Sequence, residues 1–236
     1  LVNEAAILAT RRNKKTIGMS ELAESVEKVI LGPERRSRVI NKKEKNIVAY
    51  HEGGHALVGA SLPNADPVHK VSIISRGHAG GYTLSVPEED KSLHSHAYFL
   101  DELAVFLGGY ASEKLVFGDI TTGPSNDLER ATSRARSRDT RYGRSRPGAR
   151  NYGKKEELVF LGREMHEERN YSEKTAQDID IELTHYNDEA IKKSTTKQTE
   201  KRKTLDAIAS ALLEKETLEK DEFAALVANE GKPVSQ

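Results

Sequence analysis

Residues 47–58 read Ile-Val-Ala-Tyr-His-Glu-Gly-Gly-His-Ala-Leu-Val and contain the pattern H-E-x-x-H, which begins at His51 and ends at His55. Side chains four residues apart lie on the same face of a helix, so both imidazoles can reach one metal ion. Glu52 follows the first histidine and can accept a proton from water that zinc has acidified. The pattern therefore predicts a zinc site on a helix, with Glu52 as the catalytic base.

The flanking sequence favours a buried helix. Apolar residues lie on both sides of the pattern, and buried histidine and glutamate side chains need polar partners. Gly53 and Gly54 each lower helix propensity by about 1 kcal/mol, which indicates that another group packs closely against them. The competing interpretation is an ordinary helix whose histidines and glutamate are solvated.

A third protein ligand is needed, because a catalytic zinc usually has three of them plus water. The 236 residues include no cysteine, so the ligands must be nitrogen or oxygen atoms, and disulfides and cysteine nucleophiles are excluded. Position 61 is serine, so the extended motif with a third histidine there is absent. Asp127 is the candidate, in the first turn of a helix predicted to begin near Pro124 or Asn126. An ordinary first-turn acid remains the alternative.

The hydrophobic periodicity predicts a mainly α fold with a small β-hairpin beside the zinc helix. A domain boundary is predicted near residue 36, after a helix that starts with Ser20 as its N-cap. Residues 133–155 are basic and are predicted to form an extended surface loop. The remaining predicted elements are helices over 1–13, 46–62, 97–117 and 172–203, two short helices within 204–228, and hairpin strands at 71–75 and 81–86.

The second strand of the hairpin has a functional interpretation. An exposed edge strand can bind an extended peptide through its backbone and reads little of the peptide's sequence. Gly81, Tyr82, Thr83 and Leu84 are therefore candidate substrate-binding residues. The alternative is a hairpin that only covers the core. His94 and His96 could share a second metal if they lay on a strand, but not at the start of a helix.

Charge and composition exclude several partners. Lys+Arg and Asp+Glu both number 37, and the arginine-rich stretch 133–150 contains one aromatic residue, so nucleic acid is not predicted as a partner. No apolar run approaches the roughly 20 residues that span a bilayer. The chain begins with Leu1 and is expected to be a piece of a longer protein.

Several stretches of the chain, taken in order, carry a resemblance. They are YHEGGHALV at 50–58, DPVHKV at 66–71, VFGDITTG at 116–123, NDLERAT at 126–132 and FLGRE at 160–164. Together they resemble the FtsH family of membrane-anchored AAA+ zinc metalloproteases, peptidase family M41. The resemblance implies a helical zincin-type peptidase domain with one Zn²⁺ per chain, held by His51, His55 and Asp127. It also implies processive degradation of unfolded proteins by a homo-hexamer fed by an attached ATPase ring.

The resemblance also divides the chain. Residues 1–36 resemble the last helices of an AAA+ lid, and residues 37–236 resemble the peptidase domain. The phosphate-binding loop G-x-x-x-x-G-K-[ST] is absent, so ATP is expected to bind only in a part of the protein outside this chain. The whole protein is expected to be membrane-anchored, with its peptidase on the cytoplasmic, matrix or stromal side and this chain itself soluble.

Two further expectations concern assembly. Relatives usually carry apolar residues near Arg138, Asp139 and Arg144, so a subunit contact there would bury charge and could leave this chain monomeric. The alternative function is a catalytically idle scaffold that contributes oligomer contacts to the ATPase ring. The complete His51-Glu52-His55 set favours the peptidase, because an idle site would be free to lose Glu52.

Overall fold

The computed structural model describes residues 1–34, 41–77, 79–87, 89, 93–141 and 171–229. The elements are mainly helices with one small sheet, as predicted. In chain order they are α1 (Val2–Arg11), α2 (Met19–Leu31), α3 (Lys42–Ser61), β1 (Val68–Ser72), β2 (Tyr82–Ser85), α4 (His96–Phe106), α5 (Gly108–Phe117), α6 (Ser125–Arg141), α7 (Glu173–Glu200), α8 (Arg202–Lys215), β3 (Thr217–Glu219) and α9 (Lys220–Ala228). The predicted boundary near residue 36 and the stretch 160–164 lie outside the described residues.

Helix α3 carries the H-E-x-x-H pattern and lies at the centre of the fold. It begins after Asn41, whose side-chain oxygen accepts a hydrogen bond from the Glu44 N–H at 2.8 Å, a standard N-cap. From Glu52 to Gly59 every residue is buried, because α3 packs against α5 and α8 and against the sheet. Its apolar side chains enter two cores, Leu57 with α8 and the sheet, and Val58 with α4, α6 and α7.

The predicted hairpin is confirmed, and a third strand completes the sheet. The strand order is β2-β1-β3, and both pairings are antiparallel. Strand β1 begins at Val68, three residues before the predicted start, and ends at Ser72. On the face toward α3 and α8, Val71 of β1 lies opposite Leu218 of β3, and both are buried. Strand β3 was not predicted. Its three residues lie between the two helices that were expected within 204–228.

Helix α2 packs on the opposite face of the sheet. Glu27 of α2 is buried and accepts hydrogen bonds from Lys70 at 2.9 Å, from Arg76 at 3.0 Å and from the Tyr82 hydroxyl at 3.1 Å. These contacts fasten the N-terminal helices to strands β1 and β2. The N-cap of α2 is Gly18 and not Ser20, because Glu21 reaches back to accept from the Gly18 N–H at 3.1 Å.

One prediction about the helices needs refinement, and another was wrong. The stretch 97–117 is two helices, α4 and α5, because the chain turns at Leu107, which is itself fully buried. The basic segment was predicted as a surface loop from residue 133, yet α6 continues to Arg141. Its many arginines mask a helical repeat of buried positions, Ala131, Ala135 and Arg138. The rest of that predicted loop, and with it Arg144, lies outside the described residues.

Arg138 is buried, whereas a solvated loop would expose it. Its guanidinium lies between the rings of Phe99 and Tyr186, with the carbon at 4.9 and 4.3 Å from the ring centroids. One nitrogen donates to Nε2 of His96 at 3.1 Å, while two others find no acceptor among the described residues. Cation–π contact and burial of the apolar stem stabilise an arginine in such a place. Arg138 therefore joins α6 to α4 and α7.

Candidate metal centre

Three ligand-type atoms, one from each of the candidate ligand residues, converge between α3 and α6. Nε2 of His51 lies 3.1 Å from Nε2 of His55 and 3.1 Å from Oδ2 of Asp127. Nε2 of His55 lies 3.3 Å from the same Asp127 oxygen. These are the residues that could hold a metal ion among those that the structure describes. The spacing of four residues on α3 brings the imidazoles together, and α6 supplies the carboxylate.

The other ring nitrogen of each histidine has its own acceptor. Nδ1 of His55 lies 2.7 Å from the backbone oxygen of Val105, and Nδ1 of His51 lies 2.8 Å from Oε1 of Glu113. Both acceptors require a proton on Nδ1, which leaves the Nε2 lone pair directed into the site. Metal-ligating histidines are commonly oriented by such partners.

The donor set fits zinc. Zinc binds histidine nitrogen and carboxylate oxygen at about 2.0–2.2 Å, usually with tetrahedral geometry. Three tetrahedral ligands at that distance are separated by about 3.3–3.6 Å, so the observed edges of 3.1–3.3 Å need only a small expansion. Two imidazole nitrogens and a carboxylate oxygen that face one point must share a positive charge, either a proton or a bound cation. The residues present therefore fit one zinc ion, with the fourth position left for water or substrate.

The electrostatics of the site without metal agree with this interpretation. Burial alone would lower the pKa of His51, but hydrogen bonds to Asp127 and Glu113 raise it to about 10. Burial alone would raise the pKa of Asp127, but the two histidines hold it well below its usual range. The carboxylates of Asp127 and Glu113 therefore keep a proton, and with it a positive charge, on His51. A divalent cation can take the place of the protons that these carboxylates otherwise hold.

Glu52 lies beside the ligands and is not one of them. Its side chain is buried, with 6% of the residue exposed. Burial raises the pKa of Glu52, and the charges of His51 and His55 offset part of that shift. The hydroxyl of Thr83 in β2 lies 2.9 Å from Oε2 of Glu52. The predicted base is therefore a carboxylate held next to the metal ligands in a place from which bulk water is largely excluded.

Close contacts between α3 and α5 fix the position of His51. A Cβ atom on Gly54 would come within 2.6 Å of both the Gly108 oxygen and the Ser112 Cβ. A Cβ on Gly109 would come within 2.4 Å of the His51 ring. Only glycine permits the two helices to approach this closely, which confirms the close packing expected at Gly54. Gly53 is less restricted, since a Cβ there would lie 3.3 Å from Ile208.

Asp127 is held by the first turn of α6. The helix begins at Ser125, and the Leu128 N–H donates to the Pro124 oxygen at 2.9 Å, so Pro124 and not Asn126 precedes the helix. The helix N-terminus favours the ionised carboxylate. Asp119, before the turn, and Glu129, one residue after Leu128, are both exposed.

Glu113 belongs to the candidate site, although no sequence motif marks it. Its carboxylate is almost fully buried, accepts the Thr121 N–H at 2.8 Å and faces Nδ1 of His51. Burial would raise the pKa of Glu113, but these hydrogen bonds lower it. The residue links α5 and the turn before α6 to the first histidine. The sequence did offer one indication of this role, a charged residue on the buried side of the predicted helical stretch 97–117.

Of the four predicted substrate-binding residues, Thr83 and Leu84 lie beside the site, whereas the Tyr82 side chain points to the other face of the sheet and donates to Glu27. Gly81 lies against Glu52. Strand β2 is at the edge of the sheet and pairs only with β1 among the described residues. Next to it lies a cavity of about 560 Å³. Its walls come from α2, α3, β2, α4 and α6 and from the segment between α3 and β1. The lining residues include Ile30, His55, Asp66, Thr83, Leu84, Phe106 and Arg130.

The other histidines within the described chain do not join the site. His96 is the first residue of α4 and contacts Arg138, while His94 stacks on Tyr98 at 4.4 Å. The start of a helix is the arrangement in which these two residues cannot share a metal.

Comparison with known proteins agrees with this geometry. The sequence matches the profile of peptidase family M41 over residues 38–226. This chain belongs to peptidase family M41. It is 54% identical over 227 residues to the ATP-dependent zinc metalloprotease FtsH 1 of Sphaerobacter thermophilus, a match that covers 96% of this chain and 35% of that protein.

Other M41 relatives are similar to the same degree. The ATP-dependent zinc metalloprotease FtsH of Kosmotoga olearia is 54% identical over 229 residues, covering 96% of this chain and 36% of the relative. The FtsH of Caldicellulosiruptor bescii is 47% identical over 234 residues, covering 99% and 38%. The chain thus spans just over a third of the length of these curated relatives. Among the described helices, none is both long and apolar enough to cross a bilayer.

Proposed function

We propose that this chain is a zinc-dependent endopeptidase that hydrolyses peptide bonds of unfolded or misassembled proteins, the proteolytic part of an ATP-dependent, membrane-anchored protease. The observation that carries the proposal is the convergence of His51, His55 and Asp127 within 3.1–3.3 Å, with Glu52 beside them. The names of the M41 relatives, which include zinc and protease activity, support it. The idle-scaffold alternative gains no support from a site in which every partner is present.

The mechanism assigns a role to each residue. His51, His55 and Asp127 would hold the ion, with Nδ1 of each histidine kept in place by Glu113 or by the Val105 carbonyl. Zinc, when bound, supplies a Lewis acid that acidifies water and stabilises charge developing on the peptide oxygen. Glu52 accepts a proton from the attacking water and delivers it to the departing amine.

Strand β2 is well oriented to bind an extended substrate. The Val86 N–H donates to the Pro67 oxygen on the β1 side, and backbone groups of alternate strand residues point the same way. The N–H and C=O of Thr83 and Ser85 therefore point away from β1, toward the free edge. A peptide pairing there would lie beside Glu52 with its side chains next to the cavity.

A proline at Ser85 tests this role of the strand. Ser85→Pro removes one outward N–H without touching the bonds to β1, and proline is tolerated on edge strands. One hydrogen bond contributes about 0.5–1.5 kcal/mol, so KM for a peptide substrate should rise roughly 2- to 10-fold. Ser85→Ala, which loses only the hydroxyl, is the matched control. Equal KM values for the two variants would favour a hairpin that only covers the core.

The proposal extends to the whole protein. Residues 1–36 would be the last helices of an AAA+ lid, and residues 37–236 the peptidase domain of a homo-hexamer. ATP would act outside this chain, unfolded polypeptides would be the substrates, and nucleic acid would have no part. The membrane anchor would place the peptidase on the cytoplasmic, matrix or stromal side.

Zinc removal and return test the proposed activity. Dialysis against a zinc chelator should abolish hydrolysis of fluorescein-labelled casein, because no other group here can supply the Lewis acid. Adding back zinc to one equivalent per chain should restore it. Casein hydrolysis that persists after elemental analysis shows the metal to be gone would contradict the proposal.

A further inference from the structure

Strand β2 and the glycine that directly precedes it lie against Glu52. At Gly81, a Cβ atom would come within 2.8 Å of Glu52 Cγ and within 2.9 Å of Val48 Cγ1. The glycine therefore lets β2 lie directly against α3. Two residues further on, and so on the same face of the strand, Thr83 Oγ1 lies 2.9 Å from Oε2 of Glu52 and 3.2 Å from its backbone oxygen.

Thr83 is the one side chain in the described parts of the chain that donates a hydrogen bond to this carboxylate. A hydroxyl carries a single hydrogen, so it can donate a full hydrogen bond to only one acceptor at a time. When it bonds Oε2, the second carboxylate oxygen is left without a side-chain donor among the described residues. Because Glu52 is buried, bulk water cannot easily replace a lost hydroxyl.

Thr83 is itself held in place by the sheet. It lies opposite Val71 of the central strand β1, and Val71 is fully buried. The neighbouring Tyr82 points to the other face of the sheet, where its hydroxyl donates to Glu27 of α2. The hydroxyl of Thr83 therefore belongs to a fixed part of the fold, as a group that orients another side chain must.

We propose that Thr83 is a positioning residue for Glu52, so that one residue of the edge strand both orients the base and offers its backbone to the substrate. This inference rests on the proposed function, because it assigns Glu52 the role of base. It has a consequence for substrate alignment. A peptide paired with the outward N–H and C=O of Thr83 is placed in register with the carboxylate that the same residue holds.

Two substitutions separate this role from a structural one. Thr83→Val keeps a similar shape and loses the hydroxyl, whereas Thr83→Ser keeps the hydroxyl and loses the methyl group. With a fluorogenic peptide, kcat of Thr83→Val should fall on the order of 10-fold or more, as for other residues that orient active-site groups, with KM and zinc content unchanged. Thr83→Ser should retain most of the wild-type kcat.

A second measurement requires no activity. In metal-free protein, Thr83→Val should lower the thermal unfolding midpoint when Glu52 is present. In the Glu52→Ala background the same substitution should have a smaller effect, because the Thr83 hydroxyl has no carboxylate partner there. Equal shifts would show that the two side chains are not coupled and would overturn the proposal.

The kinetic outcomes are equally decisive. An unchanged kcat in Thr83→Val, equal losses in the Val and Ser variants, or a rise in KM alone would each overturn the positioning role. An inactive wild-type chain that binds zinc would instead contradict the proposed function, and the unfolding cycle would still decide whether Thr83 holds Glu52.

Discussion

Glu52→Gln should abolish proteolysis and leave the zinc in place. The amide has nearly the shape of the carboxylate and can still accept from the Thr83 hydroxyl, but it cannot take a proton from water. General-base catalysis contributes about 10²- to 10⁴-fold, so casein hydrolysis should fall by at least 10²-fold. Zinc should remain because Glu52 is beside the converging ligand atoms and is not one of them.

The matched control is Glu129→Gln, which makes the same chemical change at an exposed position of α6. It should retain wild-type activity and zinc. A Glu52→Gln variant that hydrolyses casein at near wild-type rate would remove Glu52 from the role of base. Loss of zinc together with activity would show that the carboxylate holds the site together and would leave the base unassigned.

Asp127→Ala should empty the metal site and thereby remove activity. Of the three atoms that converge, only the Asp127 oxygen is negatively charged, and it lies 3.1 and 3.3 Å from the histidine nitrogens. Without it, zinc would have two neutral protein ligands in place of the three that a catalytic site usually has. Elemental analysis after dialysis should find well below one zinc per chain.

Asp119→Ala and Glu129→Ala are the controls for this loss. Both acids are exposed and lie close in sequence to Asp127, before and after it. Each variant should keep one zinc per chain and normal hydrolysis. If Asp127→Ala retained full zinc and activity while a control lost them, the third ligand would have been wrongly assigned.

The parts of the site that could be predicted from sequence are those fixed by local geometry. Two histidines four residues apart on a helix must share a face, whatever surrounds the helix. The close packing at Gly54 could be inferred because glycine is costly in a helix unless a neighbour requires it. The hairpin follows from alternation within a few residues. For Asp127, the local sequence allowed either a metal ligand or an ordinary first-turn acid. The resemblance to the FtsH family favoured the metal ligand.

The parts that could not be predicted depend on contacts between distant segments. Glu113 has no motif, and its role arises because α5 crosses α3 at Gly54 and Gly109. Strand β3 contains one buried apolar residue, Leu218, and forms only because β1 lies next to it. Arg138 appeared to belong to a solvated loop, yet two aromatic rings from other helices cover it. Each of these features is determined by tertiary packing.

Diffraction on the two sides of the zinc absorption edge is the most direct test of the metal centre. Crystals of the zinc-loaded chain should give one anomalous peak per molecule, about 2.0–2.2 Å from Nε2 of His51, Nε2 of His55 and Oδ2 of Asp127. The peak should vanish in data collected below the edge. A zinc peak next to other residues would contradict the assignment. So would the absence of a peak at these three atoms in crystals grown from fully active protein.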